Sequence, residues 1–304
     1  MELRAFRVRE GSVVELAGAS VAWERELQRL VEANAEVMLG VRFVASEYAT
    51  GRHRGRIDTL GLDENGTPVI VEYKRTRDAS VITQGLSYLS WLEDSRPEFE
   101  GLVRERLGAA VVETVDWSNP RLICVAAEFS PHDSVALEVI GRRVDLVAYR
   151  MFGDVLTLQL VASVAGTSPP RRGRAVTAAR TTASGGAPKS VTQYLEASPP
   201  ELRDLFAELD RVLLSYPEVQ KETQLHYIAY RRIRNVATVR VQPRKRVLVV
   251  NLRVDPSTVE LCEGFSRDVS EVGCLGTGDL EVRIRSAADL ERANELIRRS
   301  VESG

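Results

Sequence analysis

The chain is poor in cysteine and histidine, with three of each in 304 residues. Cys124, Cys262 and Cys274 are far apart, odd in number and form no CxxC pair. That argues against a disulfide framework or a structural zinc site. No apolar run approaches the roughly 18 residues that would span a bilayer, and the opening MELRAFRVRE lacks the apolar core of a secretory signal. The expected compartment is therefore the cytoplasm. A surplus of positive charge is missing too: the formal net charge is −2, acids outnumber bases over residues 1–165, and the two balance over 189–304. Net charge therefore gives no argument for non-specific affinity for nucleic acid, and any such binding must come from local clusters. What is present, 44% apolar and 28% charged residues, is the composition of a globular protein. The length favours two domains, each with its own core.

The division falls at GTSPPRRGRAVTAARTTASGGAP, residues 166–188, which holds four arginines, no acid and almost no large apolar side chain. Such a segment cannot bury enough surface to offset its ordering entropy and reads as a flexible linker. Domains are thus expected over 1–165 and 189–304. In the first, strand-like runs near 2–8, 12–16, 41–48, 56–62, 68–74, 121–127, 143–150 and 154–160 alternate with helical periodicity near 21–38, 79–94, 98–109 and 131–140. This order predicts an α/β fold with a mixed sheet flanked by helices. The second domain reads as a smaller α/β unit, with a helix near 198–215, strands near 224–230, 236–242 and 246–253, and a terminal helix capped by Ser286.

GRIDTLGLDENGTPVIVEYKR, residues 55–75, carries the chemistry. Asp63 to Thr67 is a hairpin-loop signal between two apolar flanks. Pairing about Asn65 sets Leu62 against Pro68, Leu60 against Ile70, and Asp58 against Glu72. Like charges so opposed, with Cβ atoms about 4.5–5.5 Å apart, are destabilising, and Lys74 projects from the face of Glu72. The arrangement invites a compensating cation. Two carboxylates, with other positions left to water and phosphate oxygen, suit Mg²⁺ better than zinc, with Mn²⁺ as a substitute. A neighbouring ammonium then stabilises charge on a phosphoryl transition state, which is the chemistry of phosphodiester hydrolysis. The plainer alternative places Asp58 at a solvated strand end and Glu72 and Lys74 as surface charges, against which stands the apolar character of VIVEY.

WERELQRLVEAN (23–34), GRID (55–58), VIVEYKR (69–75) and VITQGLSYLSWL (81–92) together resemble the PD-(D/E)XK nuclease superfamily and, within it, the NucS/EndoMS-like endonuclease domain, over about residues 20–150. Ile57 stands where the superfamily's name has proline. The resemblance implies a restriction-endonuclease-like fold and a Mg²⁺-dependent DNA endonuclease, mismatch- or structure-directed and associated with DNA repair, and it brings a homodimer into consideration. By position, it makes Asp58 and Glu72 metal ligands, Lys74 the catalytic lysine, Glu24 a first-helix glutamate completing the site, and Gln84 a glutamine beside it, with Tyr88 one turn later on the same wall. Glu24 shares a helical stripe with Leu27 and Val31, and Gln84 recurs with Tyr88 and Trp91. Each has a bland alternative, Glu24 as a complement to the helix dipole after Ser20 and Gln84 as a satisfied core amide. Arg52, His53, Arg54, Arg56, Arg75 and Arg77 flank the motif. Arg56, Arg75 and Tyr88 are the candidate DNA contacts, Arg75 foremost.

RDVSEVGCLGTGDLEVRI (267–284) resembles an uncharacterised domain found behind nuclease-like domains and implies no activity. GCLGTGD is read as a glycine turn rather than a phosphate loop, because DLEVRIRS continues as a strand. YRRIRNVATVRVQPRKRVLVV, residues 230–250, has seven Arg or Lys and no acid. Alternation there puts Arg240 opposite Val239 and Val241, on a basic face or simply a solvated one. Two competing functions stay open at this level: a nucleic-acid-binding module that does not cut, and a regulatory scaffold with a vestigial nuclease fold.

Overall fold

The computed structural model describes residues 3–19, 24–51, 55–75, 80–166, 190–272 and 277–303. The chain divides into two units, Met1–Pro169 and Pro170–Gly304. The linker expected over 166–188 lies, Gly166 excepted, outside the described residues.

In the first unit a hairpin, β1 (Ala5–Arg9) and β2 (Ser12–Leu16), precedes helices α1 (Glu24–Ala33) and α2 (Ala35–Leu39). Strands β3 (Val41–Ala49), β4 (Arg56–Asp63) and β5 (Pro68–Lys74) follow, then helices α3 (Ser80–Asp94), α4 (Arg96–Leu107) and α5 (Ala109–Val112). Strand β6 (Arg121–Ala126), helix α6 (Pro131–Ile140), β7 (Arg143–Phe152) and β8 (Val155–Ala165) complete it. The sheet runs β3-β4-β5-β6-β7-β8. Its centre, β5-β6-β7, is parallel, and the outer pairs are antiparallel. This is the mixed sheet the element order implies.

One helix was expected over 21–38, but Asn34 divides it. The Asn34 amide donates to the Leu30 carbonyl at 2.8 Å, a side-chain bond that competes with the helical ladder. On one face of the sheet Leu60, Leu62, Ile70, Leu122, Val144 and Leu146 pack against Leu89, Leu92, Phe99 and Val103 of α3 and α4 and Leu137 of α6. Each such side chain, fully buried, contributes about 1.5–3 kcal/mol. On the other face α1 and α2 bury Leu27, Val31, Ala35 and Leu39.

The β4–β5 turn sets the register. Asp63 Oδ1 accepts from the N–H groups of Asn65 and Thr67, both at 2.9 Å. Gly66, at φ +77, has the Thr114 carbonyl oxygen 2.7 Å from where a Cβ would stand, so both the backbone angle and the space require glycine. The resulting pairs include Leu62 with Pro68 and Leu60 with Ile70. Asp63 Oδ2 also accepts from Arg143 Nη2 at 3.0 Å, and both side chains are buried, which ties the turn to β7.

The second unit contains α7 (Val191–Glu196), α8 (Pro200–Leu214), β9 (Gln220–Thr223), β10 (Ile228–Arg231), β11 (Asn235–Gln242), β12 (Val247–Leu252), β13 (Ser266–Asp268), β14 (Leu280–Ile284) and α9 (Ala287–Glu302). Its antiparallel sheet is ordered β13-β14-β12-β11-β10-β9. Val239, Val241, Leu248, Val250 and Val282 pack with Leu205, Leu209, Leu290 and Ile297 of α8 and α9. Ser286 caps α9, accepting from the Asp289 N–H at 3.2 Å. Strands β9 and β13 carry no apolar alternation and went unanticipated. No helix among the described residues is long and apolar enough to cross a membrane.

Asp63 holds two turn N–H groups and pairs with the buried Arg143, so Asp63→Ala should cost about 3 kcal/mol or more. Urea unfolding of the full chain at neutral pH measures it. A loss below 1 kcal/mol would show that the turn does not depend on this carboxylate.

Candidate active site

Beyond Thr59 and Val71 the β4–β5 ladder stops, while β4 stays paired with β3 and β5 with β6. Asp58 and Glu72 occupy the gap. The Asp58 N–H donates to Glu72 Oε1 at 3.2 Å, and the Tyr73 N–H donates to Asp58 Oδ2 at 3.0 Å. Side-chain oxygens thus replace carbonyls as acceptors where the strands part, which answers the backbone's demand for partners. The two acids converge because each caps the other's strand.

Glu72 is fully buried, and its Oε2 has no hydrogen-bond partner among the described residues. Burial, then the Asp58 charge, pushes the Glu72 carboxyl up to about 8, against the opposing pull of the Asp58 N–H and of Lys74. Burial likewise pushes Asp58 up to about 6, with the Tyr73 N–H and Lys74 working the other way and Glu24 and Glu47 adding to the rise. Two acids forced upward in this way are short of positive charge. Cys124, aligned with Glu72 on β6, is buried, and burial followed by the Glu72 charge raises its thiol, so it is no nucleophile.

Lys74 and Glu24 meet at the end of β5. Lys74 Nζ is 3.7 Å from Glu24 Oε1, and Glu24 Oε2 accepts from the Arg75 N–H at 3.1 Å. The Arg75 carbonyl accepts from Tyr149 Oη at 3.1 Å, so the strand end is held from two elements while the Arg75 side chain is exposed. Arg56 at the start of β4 is paired with Glu47 on β3, Nε to Oε2 at 2.7 Å.

Gln84 and Tyr88 stand one turn apart on α3. Gln84 Nε2 donates to Tyr88 Oη at 3.0 Å, and the same oxygen accepts from the Arg56 N–H at 3.1 Å. Tyr88 is 5% exposed, and a Cβ on Gly55 would come within 2.4 Å of its ring. The tyrosine is a peg that fixes the backbone two residues before Asp58. Its hydroxyl is engaged inside the chain, and little of its surface is open to a nucleic-acid strand.

Two further residues belong here. Gln28 Nε2 donates to the Asp58 carbonyl at 3.0 Å and to Glu32 Oε1 at 3.0 Å. Glu32 Oε1 also accepts from Ser46 at 2.8 Å and Thr59 at 2.5 Å. Glu24, Gln28 and Glu32 recur every fourth residue on α1, a polar stripe legible in the sequence as i, i+4, i+8. Arg52, His53, Arg54 and Arg77 lie outside the described residues.

The donor set is carboxylate oxygen, one of them buried and without a donor, and this fits a hard divalent cation. Among the described residues no three His, Cys, Asp or Glu side chains gather into a metal cage.

The stretch that carries the parted ladder, the two carboxylates and the lysine is similar to a nuclease domain: residues 23–112 match the family described as the endonuclease NucS C-terminal domain. Residues 191–303 match a domain of unknown function (DUF5655). An uncharacterized protein of Haemophilus influenzae is 26% identical over 309 residues, covering 99% of this chain and 100% of that protein. A solved repair endonuclease from Pyrococcus abyssi is 24% identical, covers 44% of this chain and 50% of its own, and has a TM-score of 0.26. An EndoMS–dsDNA complex is 22% identical, covers 48% of this chain and 64% of its own, and has a TM-score of 0.29. The chain thus spans half to just under two thirds of those solved chains.

Because the folded Glu72 holds its proton to a higher pH than the unfolded one, the native state binds more protons between the ordinary carboxylate range and about 8. Its metal-free stability should fall as pH rises through that window. Glu72→Gln should flatten the fall and be the more stable protein at pH 8. Thermal unfolding in EDTA from pH 5 to 8.5 tests this, and parallel profiles for the two proteins would contradict it.

Proposed function

We propose that this protein is a Mg²⁺-dependent DNA endonuclease that hydrolyses phosphodiester bonds at the parting of β4 and β5. The observation that carries the proposal is the pair of convergent buried carboxylates, Asp58 and Glu72, each bonded to the other's strand, with Lys74 beside them. The NucS match over residues 23–112 supports the endonuclease reading.

Asp58 and Glu72 would hold the cation, which when bound supplies the positive charge this pair lacks and stabilises charge on the phosphoryl oxygens. Lys74, one side-chain step further along β5, presents its ammonium where a water or a departing oxygen needs a neighbouring positive charge. Glu24 restrains that ammonium and fixes the end of β5 through the Arg75 N–H. Gln84 acts through Tyr88 on the backbone leading to Asp58 and is a positioning residue. At the strand end, the exposed Arg75 side chain contacts a phosphate flanking the scissile bond. Arg56 can do so only by exchanging Glu47 for a phosphate. The protein acts in the cytoplasm, as a homodimer if it cuts both strands.

The test is a cleavage panel of duplex, mismatched, branched and single-stranded DNA with Mg²⁺ or Mn²⁺. Glu72→Gln and Lys74→Ala should each lose at least about a hundredfold in rate, while Arg75→Ala should weaken substrate binding more than turnover. A wild-type protein that leaves every substrate uncut would sink the proposal.

A further inference from the structure

The outer face of the second unit's sheet is polar and yet partly buried. Register sets Arg240, Val249 and Arg283 in one row across β11, β12 and β14, and Thr238, Asn251, Glu281 and Arg267 in the next. Glu281, only 3% exposed, accepts from all three arginines: Arg267 Nε at 2.8 Å and Nη2 at 2.9 Å, Arg283 Nε at 3.0 Å, and Arg240 Nη2 at 3.1 Å. Three guanidiniums share one carboxylate, so the cluster keeps a net positive charge. Their side chains remain 23% (Arg240), 50% (Arg267) and 37% (Arg283) exposed.

A structural ion network would consume its donors, and this one does not. Arg240 Nε, Asn251 Nδ2 and Thr238 Oγ1 are buried without a hydrogen-bond partner among the described residues. Asn251 and Thr238 are themselves fully buried, and Asn251 Oδ1 already accepts from Arg240 Nη2. Such groups are costly to the fold, and because they are closed to solvent, the exposed edges of the three guanidiniums are the part of the cluster that an acceptor can reach. The exposed Arg244–Arg246 turn continues the positive charge from Arg240 to the tip of the β11–β12 hairpin.

We propose that this face is a second phosphate-backbone contact for nucleic acid, in which Arg240, Arg267 and Arg283, held in fixed orientation by Glu281, bind phosphodiester oxygens without reading sequence. Planar guanidiniums braced by a buried carboxylate lose little freedom on meeting a phosphate, which favours arginine over lysine at such a site. The three guanidiniums converge on Glu281, and the exposed Arg244–Arg246 turn carries the positive charge on to the hairpin tip, so the face suits an extended backbone rather than a single small anion. The inference rests on the nuclease reading for its choice of polyanion.

The test is fluorescence anisotropy of the full chain with labelled duplex and single-stranded DNA in EDTA, where nothing is cut, over a salt titration. Arg267→Gln/Arg283→Gln should weaken binding to every sequence alike and lower the slope of log K against log salt by about 2. Arg240→Gln should act in the same direction and lower the slope by about 1. Unchanged affinity and slope in both variants, with circular dichroism showing native folding, would overturn the proposal, as would a wild-type chain with no affinity for DNA. Cleavage that persists while both variants bind as wild type would reject this surface and leave the nuclease reading standing.

Discussion

The first domain depends on one exchange of hydrogen bonds, in which Asp58 and Glu72 accept from backbone N–H groups where β4 and β5 separate. A continued ladder would have set the two acids face to face with nothing between them, which costs stability. A simple fraying of the strands would have left the Asp58 and Tyr73 N–H groups unpaired in a largely buried region. The exchange avoids both. It lets β4 stay with β3 and β5 with β6, so the sheet remains one body where the two strands part. The strained electrostatics and the parting are the same structural event.

Around that event most contacts are made to backbone rather than to the carboxylates themselves. Gln28 holds the Asp58 carbonyl, Tyr88 the Arg56 N–H, Glu24 the Arg75 N–H and Tyr149 the Arg75 carbonyl. Side chains from α1, α3 and β7 thus fix the two strand segments that carry Asp58, Glu72 and Lys74. One carboxylate oxygen, Glu72 Oε2, is left without a donor among the described residues. Rigid supports and an unsatisfied centre are what a preorganised charge-binding site requires.

How much of this the sequence discloses follows from the range of each signal. The register of β4 and β5 depends on five turn residues and two apolar flanks, all local, and Leu60 opposite Ile70 could be read directly. The mixed sheet follows from element order. The helical stripe of Gln84 and Tyr88 is also local, but its target, a backbone N–H 32 residues earlier, is a tertiary fact, so the residues were legible and their role was not. Gln28 and Glu32 have the right period and are polar, and polarity on a helix ordinarily marks solvent. The break at Asn34 and the short polar strands β9 and β13 have no apolar pattern to announce them. The basic run over 230–250 looked uniform, whereas the fold buries Arg231 against Glu222, turns Arg240 onto Glu281 and leaves Arg244 to Arg246 exposed.

The two domains show opposite answers to buried charge. In the first, two acids are brought together, and burial drives both toward the protonated form, with the Asp58 charge adding to the rise of Glu72 and the Glu24 and Glu47 charges to that of Asp58. In the second, burial alone would raise Glu281, yet hydrogen bonds and charge from Arg267 and then Arg283 hold it below its ordinary value. A buried ionic cluster is stable when its charges and hydrogen-bonding groups are matched. Each cluster here is unmatched in one direction, the first by an orphaned oxygen and the second by orphaned N–H donors. Such mismatches are difficult to explain as contributions to stability, because apolar side chains of similar size would do better. On the proposed reading they are complements to something of the opposite sign, a hard cation at the first and a phosphate backbone at the second.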